Sequence, residues 1–408
     1  MREDLTKEEK QVVFYAEQSQ PTIASSVNPE TPLSSLNLNW REKDLPERER
    51  TKHVHRLHPY LGKFIPQLVE IFLRKYFKPG QTVLDPFGGS GTTLVQANEL
   101  GVNSIAYDIS AFNVLLMHAK TDQYNLKKVR LEINDILERV HLETQTQAYQ
   151  MSLWEKGGEH RINFQNEYLS RWFAPNALQE LLTYRNFIHQ YEYQNVLKII
   201  LSRAARSARL TTHFDLDFPK KPQTEPYWCY KHSRTCVATE EAFKFLRRYS
   251  MDTIKRIEEY AALRTNAKVS IYHGDSRIEH IPQIDGLITS PPYVGLIDYH
   301  EQHRYAYELF GMEDRRSDEI GPAEQGSSQK AKKVYQEALA QVFTNAMKSM
   351  TTGGYLIVVA GDKYGLYDEI AEKCGVKVEA IVRRHVNRRT GRRSSEFYED
   401  VFIWRKPG

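Results

Sequence analysis

The stretch Val83-Leu-Asp-Pro-Phe-Gly-Gly-Ser-Gly-Thr-Thr93 limits the architecture of this chain more than any other. Val83 and Leu84 end an apolar run, and Asp85 and Pro86 stop it. The glycines that follow let the backbone bend tightly. Thr92 to Leu100 reads as a helix, with Gly101 as its C-terminal stop. Strand, glycine loop and helix form the first unit of a nucleotide-binding α/β sheet, and the loop amides can face a polar ligand. A phosphate-binding loop would need a Lys after Gly91, and a dinucleotide loop would need a third glycine where Leu94 stands. Ser104-Ile-Ala-Tyr-Asp108 reads as the second strand. Its terminal acid follows the loop by about 20 residues, which suits a carboxylate holding ribose hydroxyls better than a merely solvated strand end.

A second centre lies at Asp285-Gly-Leu-Ile-Thr-Ser-Pro-Pro-Tyr293. A short buried strand, 286–289, delivers Ser290-Pro-Pro-Tyr293 at its C-terminal end, where ligand groups belong in an open parallel sheet. Ser290 offers a hydroxyl oxygen and Pro291 its carbonyl, two acceptors that can meet the protons of an amine. The prolines Pro291 and Pro292 fix the backbone that holds them. Tyr293 offers a flat face for a base. Upstream, His58-Pro-Tyr-Leu-Gly-Lys-Phe-Ile-Pro66 leads into a helix with Ile65, Leu68, Val69, Phe72 and Tyr76 on one face. Alone, that segment is an ordinary capping helix and its entry loop.

Asp85-Pro-Phe-Gly-Gly-Ser-Gly-Thr-Thr93 resembles the first motif of the amino-methyltransferases, typically Asp-Pro-Phe/Cys-x-Gly-Ser-Gly-Thr. Ser290-Pro-Pro-Tyr293 is similar to the motif of the N4-cytosine DNA methyltransferases of restriction–modification systems. Adenine N6 enzymes more often carry Asp or Asn first, though some use Ser. The resemblance covers about 53–119 and 268–405. It implies an α/β fold, a Rossmann-like S-adenosylmethionine-dependent sheet, mostly parallel with an antiparallel last strand and a large helical insertion. It implies S-adenosylmethionine as cofactor, with contacts from Lys63, Phe64, Asp85, Phe87, Gly88, Gly89, Gly91, Thr92, Asp108 and Asp275. It implies catalysis by Ser290, Pro291, Pro292 and Tyr293 on a cytosine flipped out of double-stranded DNA, with a cognate endonuclease as a companion. Adenine-N6 methylation is the alternative. RNA base methylation and a non-catalytic DNA-binding subunit are the more distant ones. No Pro-Cys motif of the ring-carbon enzymes is present.

With 408 residues, 40% of them hydrophobic, the chain can hold one large domain and an insertion. Residues 1–50 read as a polar arm anchored at Trp40. Residues 51–119 and 268–408 read as the catalytic domain, and 120–267 as a helical insertion for target recognition. The net charge is only +4, so a nucleic-acid partner must be argued from charge placement. Arg203, Arg206 and Arg209 share a broad helical face that is either a phosphate-binding or a solvated surface. Arg383 to Arg393 holds six arginines, and Arg384, Arg388, Arg389, Arg392 and Arg393 are expected at DNA. Cys229, His232 and Cys236 have a spacing that matches no common zinc site, and a fourth ligand would have to come from afar, such as His213. Free thiols are the preferred reading, and no metal is expected. Three cysteines suit a reducing compartment, and no apolar run suits a membrane span or signal peptide, so a cytoplasmic protein is expected.

Overall fold

The computed structural model describes residues 13–15, 20–154, 166–216, 219–295, 297–322, 324, 326–386 and 397–408. Its strands are β1 (Val13–Tyr15), β2 (Thr82–Asp85), β3 (Asn103–Asp108), β4 (Tyr227–Cys229), β5 (Arg234–Cys236), β6 (Val269–His273), β7 (Ile284–Thr289), β8 (Met350–Ala360), β9 (Lys377–Val386) and β10 (Phe397–Arg405). The hairpin β4–β5 stands apart, and the rest form one sheet in the order β1-β9-β10-β8-β7-β2-β3-β6. β10 runs antiparallel to β8 and β9, and the other pairings are parallel. From β2 the chain builds outward through β3 to β6, then returns to β7 on the other side of β2 and builds the opposite way. In such a sheet the ligand crevice lies beyond the carboxyl ends of the strands, where the order reverses.

The main helices are α1 (Pro66–Tyr76), α2 (Thr92–Glu99), α3 (Ala111–Thr121), α4 (Leu126–Trp154), α5 (Pro175–Phe187), α6 (Gln194–Ala208), α7 (Phe243–Ala261), α8 (Gln329–Lys348) and α9 (Tyr367–Cys374). Each strand divides its side chains by alternation. Val83, Ile288, Ile357 and Val401 face one core together with Leu68 and Phe72 of α1. Leu84, Leu287, Leu356 and Phe402 face another, with Leu339 and Phe343 of α8.

Residues 20–50 differ from the polar arm expected of them. Ala24, Val27, Leu36, Leu38, Trp40 and Leu45 are buried in the core of α1. The Trp40 indole N–H donates to the Thr22 carbonyl at 3.1 Å. Single apolar residues scattered among polar ones give no periodicity, yet each finds the core.

The insertion is helical as expected, and its apolar stripes do not close on themselves. Ile133 of α4, Leu181 of α5, Leu197 of α6 and Ile257 of α7 share one core with Phe112 and Leu116 of α3 and with Tyr305 and Leu309. No described helix is long and apolar enough to cross a membrane.

Candidate active site

The carboxyl ends of β2, β3, β6 and β7 open onto one cleft of about 800 Å³, counting its open mouth. Pro86 to Ser90, Thr92, Asp108 to Ser110, Asn113, Gly274 to Ser276, Ser290 and Pro292 form its walls. Tyr60, Gly62, Lys63, Phe64 and Tyr299 line it from other segments, with Asp318 to Ile320.

The glycine loop is held from behind. Gly89 and Gly91 have φ of +49° and +74°, the left-handed region that other residues rarely adopt. The Gly88 amide donates to the Tyr107 carbonyl at 2.9 Å. A side chain on Gly88 would meet the Met117 sulfur at 2.5 Å. The fully buried Lys120 donates to the Ser90 carbonyl at 2.5 Å, and burial holds its pKa well below the ordinary lysine range.

Two residues expected at the cofactor stand behind this loop, outside the cleft wall. Gly91 caps α2 and packs on Met117. Asp85 accepts hydrogen bonds from the Thr93 and Thr289 hydroxyls, each at 2.6 Å, and from the Phe87 amide at 3.2 Å. Its carboxylate is committed to tying β2 to β7 and α2. Burial, against those hydrogen bonds, raises its pKa to about 6.

Asp108 does line the cleft. It accepts from the Gly89 amide at 2.7 Å, from the Ser110 amide at 2.8 Å and from the Asn113 amide group at 3.1 Å. Burial outweighs these and raises its pKa. Phe64, Phe87, Gly88, Gly89 and Thr92 line the same space. Lys63 lines it too, although its ammonium donates to the His55 carbonyl at 2.9 Å. Asp275 faces the cleft with its charge already paired to Arg277, Nε to Oδ1 at 2.9 Å.

Sequence reasoning missed Tyr60, Asn113 and Glu319. Asn113 donates to the Tyr60 hydroxyl at 3.1 Å, which joins α3 to the segment before α1. Glu319 accepts from the His300 amide at 3.2 Å and pairs with the His300 ring. Asn113 Oδ1 and Glu319 Oε2 are buried acceptors with no partner among the described residues. Tyr60 lies within the His58–Pro66 segment that leads into α1. Glu319 sits in an irregular loop with no local pattern to mark it.

Ser290 and Pro292 line the cleft, and Pro291 is buried beside it. Among the described residues the Ser290 hydroxyl has no hydrogen-bond partner within the chain. The loop is braced on both sides. The Pro292 carbonyl accepts from the Tyr335 hydroxyl at 2.8 Å, and that hydroxyl lies 2.9 Å from the Tyr367 hydroxyl. The Tyr293 hydroxyl donates to Glu399 at 2.9 Å, and Glu399 pairs with Arg384 at 2.8 Å. Burial pushes the Tyr293 phenol well above its ordinary pKa.

The expected DNA-facing arginines are largely committed elsewhere. Arg203 is buried, pairs with Asp252 at 2.6 Å and lies 4.2 Å from the Tyr249 ring centroid. Arg209 is buried over Tyr305 and donates to the Leu216 carbonyl at 2.5 Å. Arg384 is buried in the pair with Glu399. Burial and contacts with acids, carbonyls or rings hold these three guanidinium groups, although Arg209 Nε has no hydrogen-bond partner among the described residues. Arg206 is half-buried. Arg388, Arg389, Arg392 and Arg393 lie outside the described residues. Cys229, His232 and Cys236 do converge, and His213 joins them.

A DNA methylase family model matches residues 4–120. The type II methyltransferase M.MjaII of Methanocaldococcus jannaschii is 37% identical over 430 residues, spanning 88% of this chain and 81% of that protein. The type II methyltransferase M.BsoBI of Geobacillus stearothermophilus is 21% identical over 68% of this chain and 57% of its own length. The type II methyltransferase M.MvaI of Kocuria varians is 24% identical over 64% of this chain and 55% of its own length.

Proposed function

The chain belongs to the type II DNA methyltransferases of the N6/N4 class, whose target is an exocyclic amine of adenine or cytosine, and on that premise we propose that it methylates cytosine N4 in duplex DNA. Its methyl donor is S-adenosylmethionine. The observation that carries the proposal is that Ser290, first of Ser-Pro-Pro-Tyr, opens onto the same cleft as the glycine loop and Asp108. Serine at that position favours cytosine over adenine by its resemblance to the N4-cytosine enzymes.

The cleft fits the donor. Asn113 Oδ1 and Glu319 Oε2 are buried acceptors without a partner among the described residues, and a ligand bearing hydroxyl and ammonium donors satisfies such groups. Asp108 would hold the ribose hydroxyls, with Phe64 and Phe87 supplying apolar wall and Asp275 near the adenine. Bound there, S-adenosylmethionine supplies an electrophilic methyl group on sulfur.

The chain's own part is positioning. The lone pair of an aromatic amine is delocalised into its ring. Ser290 Oγ and the Pro291 carbonyl would accept hydrogen bonds from the two amine N–H groups, favour a more tetrahedral nitrogen and aim its lone pair. The one proton that the methylated nitrogen sheds would leave to solvent along one of these hydrogen bonds. Tyr335 and Glu399 brace the loop on either side, so the acceptors need little reorganisation during the reaction. Orientation of this kind is worth up to about 7–11 kcal/mol of barrier. Tyr293 would stack on a base extruded from the duplex. No covalent enzyme intermediate is needed. As in the enzymes it resembles, a companion endonuclease acting on the same site is part of this reading.

Nucleoside analysis of DNA methylated by the purified protein tests the assignment. N4-methylcytosine is expected, and N6-methyladenine alone would refute the cytosine reading while keeping the cofactor site. Ser290→Ala should lower turnover by about 10²-fold or more, the order seen when a transition-state hydrogen-bond partner is removed. Its affinity for S-adenosylmethionine should stay near wild type. Asp108→Ala should lose that affinity, measured by calorimetry.

A further inference from the structure

We propose that His213, Cys229, His232 and Cys236 hold a structural zinc ion that folds the segment between α6 and α7. These four residues lie in the insertion, and none of them lines the catalytic cleft. The inference does not depend on which base the protein methylates.

The segment has almost no core of its own. Among the described residues from 212 to 240, Cys229 and Cys236 alone are buried. Its large apolar side chains point outward: Phe214, Trp228, Tyr230 and Val237 are each more than half exposed. The strands β4 and β5 are three residues each, and an isolated two-stranded hairpin is marginal in water. Small units that cannot bury enough apolar surface commonly rely on metals or disulfides.

The backbone gathers the ligands. Cys229 ends β4, and the His232 amide donates to its carbonyl at 3.1 Å to close the turn. Ser233 takes the left-handed conformation, φ +49°, which brings the chain back into β5. Cys236 ends β5, so both thiols lie within the hairpin. His213 arrives from the other side, and its amide donates to the Tyr227 hydroxyl at 3.0 Å.

The distances match a tetrahedron. Cys229 Sγ lies 3.5 Å from His213 Nδ1 and 3.6 Å from His232 Nδ1, and Cys236 Sγ lies 3.5 Å from His232 Nδ1. All four donor atoms fall within 4.8 Å of one another. Zinc bonds of about 2.3 Å to sulfur and about 2.0–2.1 Å to nitrogen, at the tetrahedral angle, give a sulfur–nitrogen edge of about 3.6 Å. Two thiolates and two imidazoles are a zinc donor set, and four protein ligands leave no open position for chemistry. The Tyr227 hydroxyl also approaches His213 Nδ1, at 2.7 Å. Ligation through Nδ1 takes that lone pair, while the hydroxyl keeps its bond from the His213 amide.

Elemental analysis of the full-length protein, purified without chelator from zinc-supplemented cells, tests the site. About one zinc per chain is expected. The variants Cys229→Ser and Cys236→Ser should lose it, whereas Cys374→Ser should keep it. Exchange of the bound metal for cobalt(II) should give the visible absorption of a tetrahedral thiolate complex. A mercurial reagent added to wild type should release the zinc, so the outcome does not rest on variants that fail to fold. On release, amide exchange should rise in 211–242 ahead of the sheet. Zinc-free protein whose Cys229 and Cys236 alkylate in the native state would overturn the proposal. So would a disulfide between them, seen as an intact mass lower by two hydrogens and located by peptide mapping.

Discussion

Asp85 shows how a motif residue can serve a site without touching its ligand. The sequence marks it as the end of a strand beside a glycine loop, and a short acid there reads as a ligand contact. The three donors that claim it come from the loop itself, from α2 and from β7. Thr289 lies two hundred residues further on, so local sequence could not reveal this commitment. The bracket has a pH signature. The fold raises the Asp85 pKa from its ordinary 3.8 to about 6, chiefly by burial. The folded chain therefore binds this proton more tightly than the unfolded chain. Its stabilising contribution is complete below about pH 4, declines as pH rises through about 6, and is absent above. At about 1.4 kcal/mol per pH unit the change is on the order of 3 kcal/mol. Asp85→Asn carries no such proton and can still accept from one threonine while donating to the other. Urea unfolding between pH 4.5 and 7.5 should show the stability of the variant relative to wild type rising with pH. A constant difference would mean that the carboxyl does not titrate in that range.

The same contrast recurs in the closing pair of strands. β8, β9 and β10 carry apolar runs bounded by glycine or charge, the pattern of buried strands. Arg384 reads as a DNA contact because it sits near the start of an arginine-rich run, Arg383 to Arg393, with no acid inside it. Strand pairing supplies the acids from across the ladder, placing Asp400 opposite Arg383 and Glu399 opposite Arg384. Glu399 then reaches Tyr293, so this pair braces the Ser-Pro-Pro-Tyr loop. Tyr293→Phe keeps the ring and cuts the tether, leaving a buried carboxylate oxygen without its donor. Turnover should fall by about 10- to 150-fold, the equivalent of about 1.5–3 kcal/mol for one lost hydrogen bond to a charged group. Affinity for S-adenosylmethionine should be unchanged. Glu399→Ala removes the acceptor of the same tether, so the double variant should lose less than the sum of the two. Additive losses in single-turnover rates would mean that Tyr293 and Glu399 act separately.

At the scale of the whole molecule, the rule that ligands bind where strand order reverses joined two motifs two hundred residues apart. The glycine loop and Ser290 meet at one cleft because β2 and β7 are neighbours. Boundaries drawn by composition fared differently. Residues 20–50 and the insertion each looked separable, since one lacks periodicity and the other is helical throughout. Packing removes that separation. Leu197 and Ile200 of α6 are fully buried in the core that contains Phe112 and Leu116 of α3, and α3 carries Asn113 to the cleft. A shared core of this size should make the insertion and the sheet unfold together. Leu197→Ala deletes three buried carbons far from the cleft and should cost about 2–5 kcal/mol. If the core is cooperative, native-state hydrogen exchange in β7 and β8 should accelerate by the same free energy as exchange in α6. Acceleration confined to α4 to α7, with β7 and β8 unchanged, would show an independently folding insertion. In the cooperative case a substitution in the insertion lowers the stability of the methyl-donor cleft without touching a single residue that lines it.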